Sequence, residues 1–172
     1  AIIDYGLGNI RAFANVFDRI NQPFSIARSN EELKNATKII LPGVGSFDYA
    51  MMLLETSGMC EQLNAMVVQQ KIPALGVCVG MQMMARTSEE GTRSGLGWID
   101  GEVRKFTDSS RKGVRIPHMG WNNISPVRDH RLMNGLDDSS RFYFLHSYYF
   151  ACANGGDILA TTEYGGTFSC AI

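Results

Sequence analysis

The sequence predicts an α/β fold: a mostly parallel sheet flanked by helices, with an antiparallel extension. Two observations carry this. In the first half, short apolar runs alternate with stretches of helical spacing, the pattern of parallel strands covered on both faces. From Trp98 onward the helical spacing stops, and strand-like runs follow one another between Gly, Asn, Asp and Ser clusters. No internal repeat or low-complexity linker interrupts the 172 residues, which read as a single domain over 1–172 able to bury a useful core.

Taken in order, Ala1–Tyr5 is an apolar strand stopped by Gly6-Leu7-Gly8. Asn9 suits a helix cap, and Ile10, Phe13, Ala14, Phe17 and Ile20 recur at helical spacing, predicting one buried face. Phe24–Ala27 is a second strand, and Asn30-Glu31-Glu32-Leu33 a capped helical turn. Lys38–Leu41 is a third strand, ended by Pro42-Gly43-Val44-Gly45. A helical region from about Asp48 to Gln70 breaks near Ser57-Gly58. Ala74–Val77 is the next strand and Gly80–Ala85 the next helix. The second half then offers strands at Gly101–Thr107, Val114–Pro117, Phe142–Leu145, Tyr148–Ala151, Ile158–Thr162 and Thr167–Ala171.

Composition excludes several classes of function. Sixteen basic and seventeen acidic side chains leave a formal charge of −1, so neither nucleic acid nor a membrane is indicated as a partner. The small basic clusters, Arg111-Lys112 and Arg128-Asp129-His130-Arg131, read as solvated surface. Cys60, Cys78, Cys152 and Cys170 are widely spaced and share no metal-ligand rhythm with His118, His130 or His146. No metal or organic cofactor is expected. No apolar stretch approaches the ~20 residues of a membrane span, and Ala1-Ile2-Ile3 opens the chain without a signal pattern, which reads as a cytoplasmic protein.

Chemistry concentrates in Pro73-Ala74-Leu75-Gly76-Val77-Cys78-Val79-Gly80-Met81-Gln82. A buried strand runs into Gly-x-Cys-x-Gly and a helix starts at once, the setting in which a nucleophile is held on a tight, strained turn. The flanking glycines allow helix and substrate to approach closely. A cysteine at a helix N-terminus should have its thiol pKa lowered, and the thiolate attacks carbonyl carbon well. The Pro42-Gly43-Val44-Gly45 turn follows another strand. In a parallel sheet both loops meet at one edge, where their N–H groups could surround an oxyanion.

The run Gly76-Val77-Cys78-Val79-Gly80-Met81-Gln82 resembles the nucleophile signature of class I glutamine amidotransferases. Asp4-Tyr5-Gly6-Leu7-Gly8-Asn9 and Leu41-Pro42-Gly43-Val44-Gly45 precede it. Ser88-Glu89-Glu90-Gly91, Gly95-Leu96-Gly97, Pro117-His118-Met119-Gly120-Trp121-Asn122 and His146-Ser147-Tyr148 follow, all in the family's order. Nearly end to end, the chain is similar to the glutaminase subunits of imidazole glycerol phosphate synthases. The resemblance implies a class I glutamine amidotransferase-like fold and hydrolysis of glutamine to glutamate and ammonia, with Cys78 as nucleophile. It implies oxyanion donors from the backbone of Val79 and of the Val44-Gly45 turn. Gly43, Gln82, Glu90, Ser147 and Tyr148 would hold glutamine, with Glu90 suited to its α-ammonium group. Asn9, Met119, Trp121 and Asn122 would face a synthase (cyclase) subunit of histidine biosynthesis, in a heterodimer that receives the ammonia.

The family completes its triad with a His-x-Glu pair in a C-terminal Phe-His-Pro-Glu run, and this sequence carries none. It stops at Ile172 after the strand-like Thr167–Ala171, so the domain is expected to be incomplete at its C-terminus and, without a base, nearly inactive. His146 is a substitute base by position, although it matches a non-triad histidine of the family pattern. Three other readings stay open. The stretch from Ser88-Glu89-Glu90-Gly91 to Gly97-Trp98-Ile99 is equally similar to glutaminases that serve sugar-aminating synthases of surface polysaccharides. A non-catalytic subunit that binds glutamine without reacting would fit the missing base; a stand-alone cysteine hydrolase would need a base of its own.

Overall fold

The apolar runs of the first half become four parallel strands: β1 (Ile2–Ile3), β2 (Ile26–Ala27), β3 (Ile39–Gly43) and β4 (Ala74–Cys78), in the order β2-β1-β3-β4. The computed structural model describes residues 1–106 and 115–172, which divide into two compact units, Ala1–Trp98 and Ile99–Ile172. Thr107, Val114 and the Arg111-Lys112 cluster lie outside the described residues.

β3 continues two residues past the expected end at Leu41. The single pairing of β3 with β1 is Ile2 with Ile40, whereas its pairing with β4 runs on through Pro42–Val77 and Gly43–Cys78. Pro42 therefore sits beyond the end of β1, where the N–H it lacks has no ladder to join.

Helices cover this sheet. α1 (Ile10–Arg19) is capped by Asn9, whose side-chain oxygen accepts from the Ala12 N–H at 3.2 Å. Its apolar stripe is the predicted one but is half-buried, and Ile20 is exposed. Ten helical residues span about 15 Å, while two-residue strands span about 7 Å, so the stripe outruns the sheet beneath it. α2 (Asn30–Leu33) is capped by Ser29, and the Glu32 carboxylate reaches back to the Arg28 N–H at 2.6 Å. α3 (Phe47–Thr56) ends at Gly58, whose φ of +73° suits a glycine after a helix. α4 (Cys60–Asn64) then starts and runs into a π-helical turn over Ala65–Gln69. The predicted break near Ser57-Gly58 is therefore present. Phe47, Leu54, Met59, Leu63 and Met66 from these segments are buried, as are Ile2, Ile3, Ile39 and Leu41 of the strands. α5 (Val79–Gln82) is a single turn directly after β4, and a two-residue strand β5 (Thr87–Ser88) follows.

The second unit is antiparallel. β6 (Gly101–Lys105), β7 (His118–Asn123), β8 (Ser125–Pro126), β9 (Arg141–His146), β10 (Tyr148–Cys152), β11 (Ala160–Glu163) and β12 (Thr167–Ala171) form two sets, β6-β10-β12-β11-β8 and β7-β9. Residues 115–117, predicted as strand, are not; the strand begins at His118 instead. Phe106, Phe150, Phe168 and Val103 are buried in this unit, and Phe106 packs edge-on to Phe168 with ring centroids 5.1 Å apart.

One polar chain is buried with those aromatics. His146 Nδ1 lies 2.7 Å from the Tyr148 carbonyl, which only accepts, so that nitrogen carries a proton. His146 Nε2 then accepts from His118 Nδ1 at 3.0 Å, and the Asn122 amide lies 3.4 Å from His118 Nε2. His118 itself is stacked between Phe144 and Tyr164. Both imidazoles are neutral in this arrangement. Burial pushes both pKa values down, and for His118 the neighbouring His146 adds to the fall, bringing it from 6.5 to about 4. The unfolded chain therefore takes up protons first as the pH falls. Stability is full above pH 6.5 and is lost progressively toward pH 4. Urea midpoints measured across that window should decline, and His118→Phe, which keeps an aromatic ring between Phe144 and Tyr164, should decline less steeply.

Candidate active site

The turn from β4 into α5 places Cys78 at φ +58° and ψ −123°, a conformation that costs a non-glycine residue about 1–3 kcal/mol. Close approach of backbones imposes it. A Cβ on Gly80 would stand 1.9 Å from the Leu41 carbonyl oxygen, and one on Gly76 would stand 2.6 Å from the Gly80 oxygen. A Cβ on Gly43 would meet the Gly80 nitrogen at 2.3 Å. The first residues of α5 are thus pressed against the end of β3, and only glycines permit it.

This contact brings the predicted loops together. Gly43 is the register partner of Cys78, so the Val44-Gly45 turn leaves the sheet beside the thiol. Val44 and Gly45 are exposed, and Gly45 has φ +78°. The Val79 N–H is directed at the Cys78 sulfur. Gln82 is buried on α5.

Glu90 also lies in the first unit. One of its carboxylate oxygens accepts from the Phe47 N–H at the start of α3, at 2.8 Å, and its own N–H donates to the Ser88 hydroxyl at 3.1 Å. The remaining predicted residues, Asn9 apart, belong to the second unit. Ser147 joins β9 to β10 and its carbonyl accepts from the Phe106 N–H; Tyr148 opens β10 opposite Lys105. Met119 and Trp121 share the exposed face of β7, at 58% and 63% exposure, opposite Leu145 and Tyr143 of β9. Asn122 points to the other face, donating to the Glu163 carbonyl at 2.8 Å. Asn9 is exposed at the start of α1.

The thiol departs from expectation. Burial of the sulfur's surroundings pushes its pKa up, the Val79 N–H pulls it down, and the Glu90 charge pushes it up again. A one-turn helix supplies little dipole, and the first 98 residues contain no histidine to pair with the thiolate. His146, the substitute base, has both ring nitrogens engaged with His118 and the Tyr148 carbonyl. Burial and the Glu90 charge thus work against the thiolate, opposite to the expected fall.

Two residues of the site have roles that the sequence does not show. Tyr5 is buried and its hydroxyl donates to the Pro42 carbonyl at 2.8 Å, tying the first loop to the Gly43 turn. Its pKa is pushed up by burial and by the Cys78 charge. Asp48 binds the loop after Glu90 through the Thr92 and Arg93 N–H groups, at 2.9 and 3.0 Å. Tyr5 lies in the Asp4-Tyr5-Gly6-Leu7-Gly8-Asn9 run and Asp48 in none, but neither bond can be read locally, because each acts on backbone supplied by distant sequence. Among the described residues, no group of three or more His, Cys, Asp or Glu could hold a metal, and no helix is long and apolar enough to cross a membrane.

Comparison with known proteins agrees with this geometry. The model of the glutamine amidotransferase class-I family matches residues 1–172. The imidazole glycerol phosphate synthase subunit HisH of Leptospira interrogans is 51% identical over 172 residues, covering 99% of this chain and 84% of the relative. That of Bdellovibrio bacteriovorus is 53% identical with the same coverage. Among solved structures, a glutamine amidotransferase superposes with a TM-score of 0.71 at 17% identity, covering 98% of this chain and 87% of the other. Another from Thermotoga maritima gives 0.59 at 17% identity, covering 96% and 71%. These two establish the fold.

Because Glu90 raises the Cys78 pKa, Glu90→Gln should move the pH midpoint of iodoacetamide alkylation at Cys78 downward. An unchanged midpoint would mean that the two groups do not interact.

Proposed function

The chain belongs to the class I glutamine amidotransferases, and we propose that it is the glutaminase subunit of an imidazole glycerol phosphate synthase, supplying ammonia in histidine biosynthesis. The single observation that carries this is Cys78 on a strained strand–helix turn, with Gly43 beside it in register and relatives named for that synthase over 99% of the chain.

In the reaction, the Cys78 sulfur attacks the side-chain amide carbon of glutamine. An S–C bond forms, the C–N bond breaks, and ammonia leaves with the thiol proton. Water then cleaves the thioester, releasing glutamate and restoring the thiol. Negative charge gathers on the amide oxygen during both steps. The Val79 N–H and one N–H of the Val44-Gly45 turn receive it, each typically contributing ~10²–10³ in rate. Gly43 lines this edge through its backbone, the place of its missing side chain being taken by the start of α5, while Gln82 on α5 supports the pocket floor. The Glu90 carboxylate, oriented by the Phe47 N–H, suits the α-ammonium group.

The partner is a cyclase subunit, bound as a heterodimer through Met119 and Trp121. Two exposed large apolar side chains side by side on one strand face suit the centre of such an interface. Delivery of ammonia to the partner couples the two sites, so glutamine turnover rises when the partner is bound. The working place of the complex is the cytoplasm.

Glutamate release from glutamine, measured with and without the cyclase subunit, tests this. Release should rise with the cyclase and vanish in Cys78→Ala. Trp121→Ala should weaken cyclase binding by about 2 kcal/mol, roughly 30-fold in Kd. Glutamate release without cyclase binding would reassign the partner to a sugar-aminating synthase. Glutamine binding with no release, in complex or alone, would overturn the catalytic reading.

A further inference from the structure

The start of α3 and the loop that follows β5 exchange bonds in both directions. From the loop, the Glu90 carboxylate takes the Phe47 N–H of the helix at 2.8 Å. From the helix, the Asp48 carboxylate takes the Thr92 N–H at 2.9 and 3.1 Å, the Arg93 N–H at 3.0 Å and the Thr92 hydroxyl at 3.4 Å. Between these two anchors lies Gly91, so close to the carboxylate that a Cβ there would stand 1.9 Å from Asp48 Oδ1. Arg93 is tied one helical stretch further along, to Glu55 at 2.5 Å. An acid in the first turn of a helix ordinarily answers the helix's own N–H groups or its dipole. Asp48 instead answers two successive N–H groups of a loop more than forty residues away.

We propose that Asp48 is a positioning residue that fixes the Ser88–Arg93 loop, and through it the Glu90 carboxylate, for an α-amino-acid substrate. This rests on the reading of Cys78 as a glutaminase nucleophile and of Glu90 as the ammonium acceptor. A carboxylate can favour a substrate ammonium only if its place is set before the substrate arrives, and a shift of 1 Å in such a group can cost ~10²-fold. The Phe47 N–H tethers the Glu90 side chain, while the Glu90 backbone is held by Ser88 on one side and by the Asp48 clamp on the other. Loss of the clamp frees the downstream half of the loop. It leaves the elbow untouched, because Gly76, Gly80 and Gly43 form that contact without the loop. Asp48 therefore affects recognition of the α-amino group and not the reactivity of the thiol. The Thr92 and Arg93 N–H groups also hold the Asp48 carboxyl below its ordinary pKa, so the clamp is charged at neutral pH.

Two alkylating reagents separate these effects at Cys78. One is a chloromethyl ketone built on an α-amino acid of glutamine's length; the other is iodoacetamide, which has no α-ammonium group. Asp48→Ala should slow the first by about tenfold and leave the second within about twofold, with Asp48→Asn intermediate. In the complex with the synthase partner, KM for glutamine should rise by a similar factor while kcat changes little. Equal slowing of both reagents would make Asp48 a purely structural residue and overturn the proposal, as would no slowing of either. A wild-type protein that iodoacetamide labels at Cys78 but that shows no preference for the α-amino reagent fails differently. That result would remove the glutaminase reading on which the inference stands.

Discussion

Everything at this site depends on how closely the start of α5 presses against the end of β3. That contact leaves no room for a Cβ at Gly80 or Gly43, the packing of α5 back on β4 leaves none at Gly76, and together they force Cys78 to a positive φ. A strained cysteine persists only when its surroundings over-determine it, and here three backbone-to-backbone contacts do so. The strain has a geometric return. It turns the sulfur out at the sheet edge, directs the Val79 N–H at it, and sets the Val44-Gly45 turn alongside through the Gly43–Cys78 register. Tyr5 reinforces the arrangement by holding the Pro42 carbonyl, which fixes the strand end that carries that turn.

The electrostatics run against the geometry. The elbow exposes Cys78 yet surrounds the sulfur with enough protein to disfavour the thiolate, and Glu90 adds a like charge. A carboxylate placed to attract the ammonium of an incoming amino acid necessarily opposes an anion nearby. Once an ammonium is bound, that opposition is offset. Under the role proposed for Glu90, substrate binding and thiol activation are linked, and the loop that carries Glu90 is fixed to α3 by Asp48.

Much of this is legible in the sequence. Gly76-x-Cys78-x-Gly80 after an apolar run, with a helical pattern starting at once, points to an elbow. The alternation of strand and helix up to Gln82, and its replacement by strands after Trp98, marks the parallel and antiparallel parts. The features that stay hidden share a cause. Tyr5, Asp48 and the His118–His146 pair act through partners 28 to 78 residues away, and local pattern carries no trace of such pairings. The strand at His118–Asn123 is masked by glycine and asparagine, which are poor strand formers; its pairing with β9 overrides them. The Cys78 pKa moves opposite to the sequence expectation because burial outweighs the pull of the Val79 N–H, and α5, one turn long, adds little dipole.

The most direct test is to expose the intact protein to a glutamine-like electrophile and map the adduct by mass. Four free cysteines compete for it, three of them half-buried and none of those on an elbow. A single adduct at Cys78, suppressed by glutamine and absent in Cys78→Ala, is the expected result. Labelling spread over Cys60, Cys152 and Cys170, or labelling that glutamine does not suppress, would contradict the assignment of Cys78 as the glutaminase nucleophile.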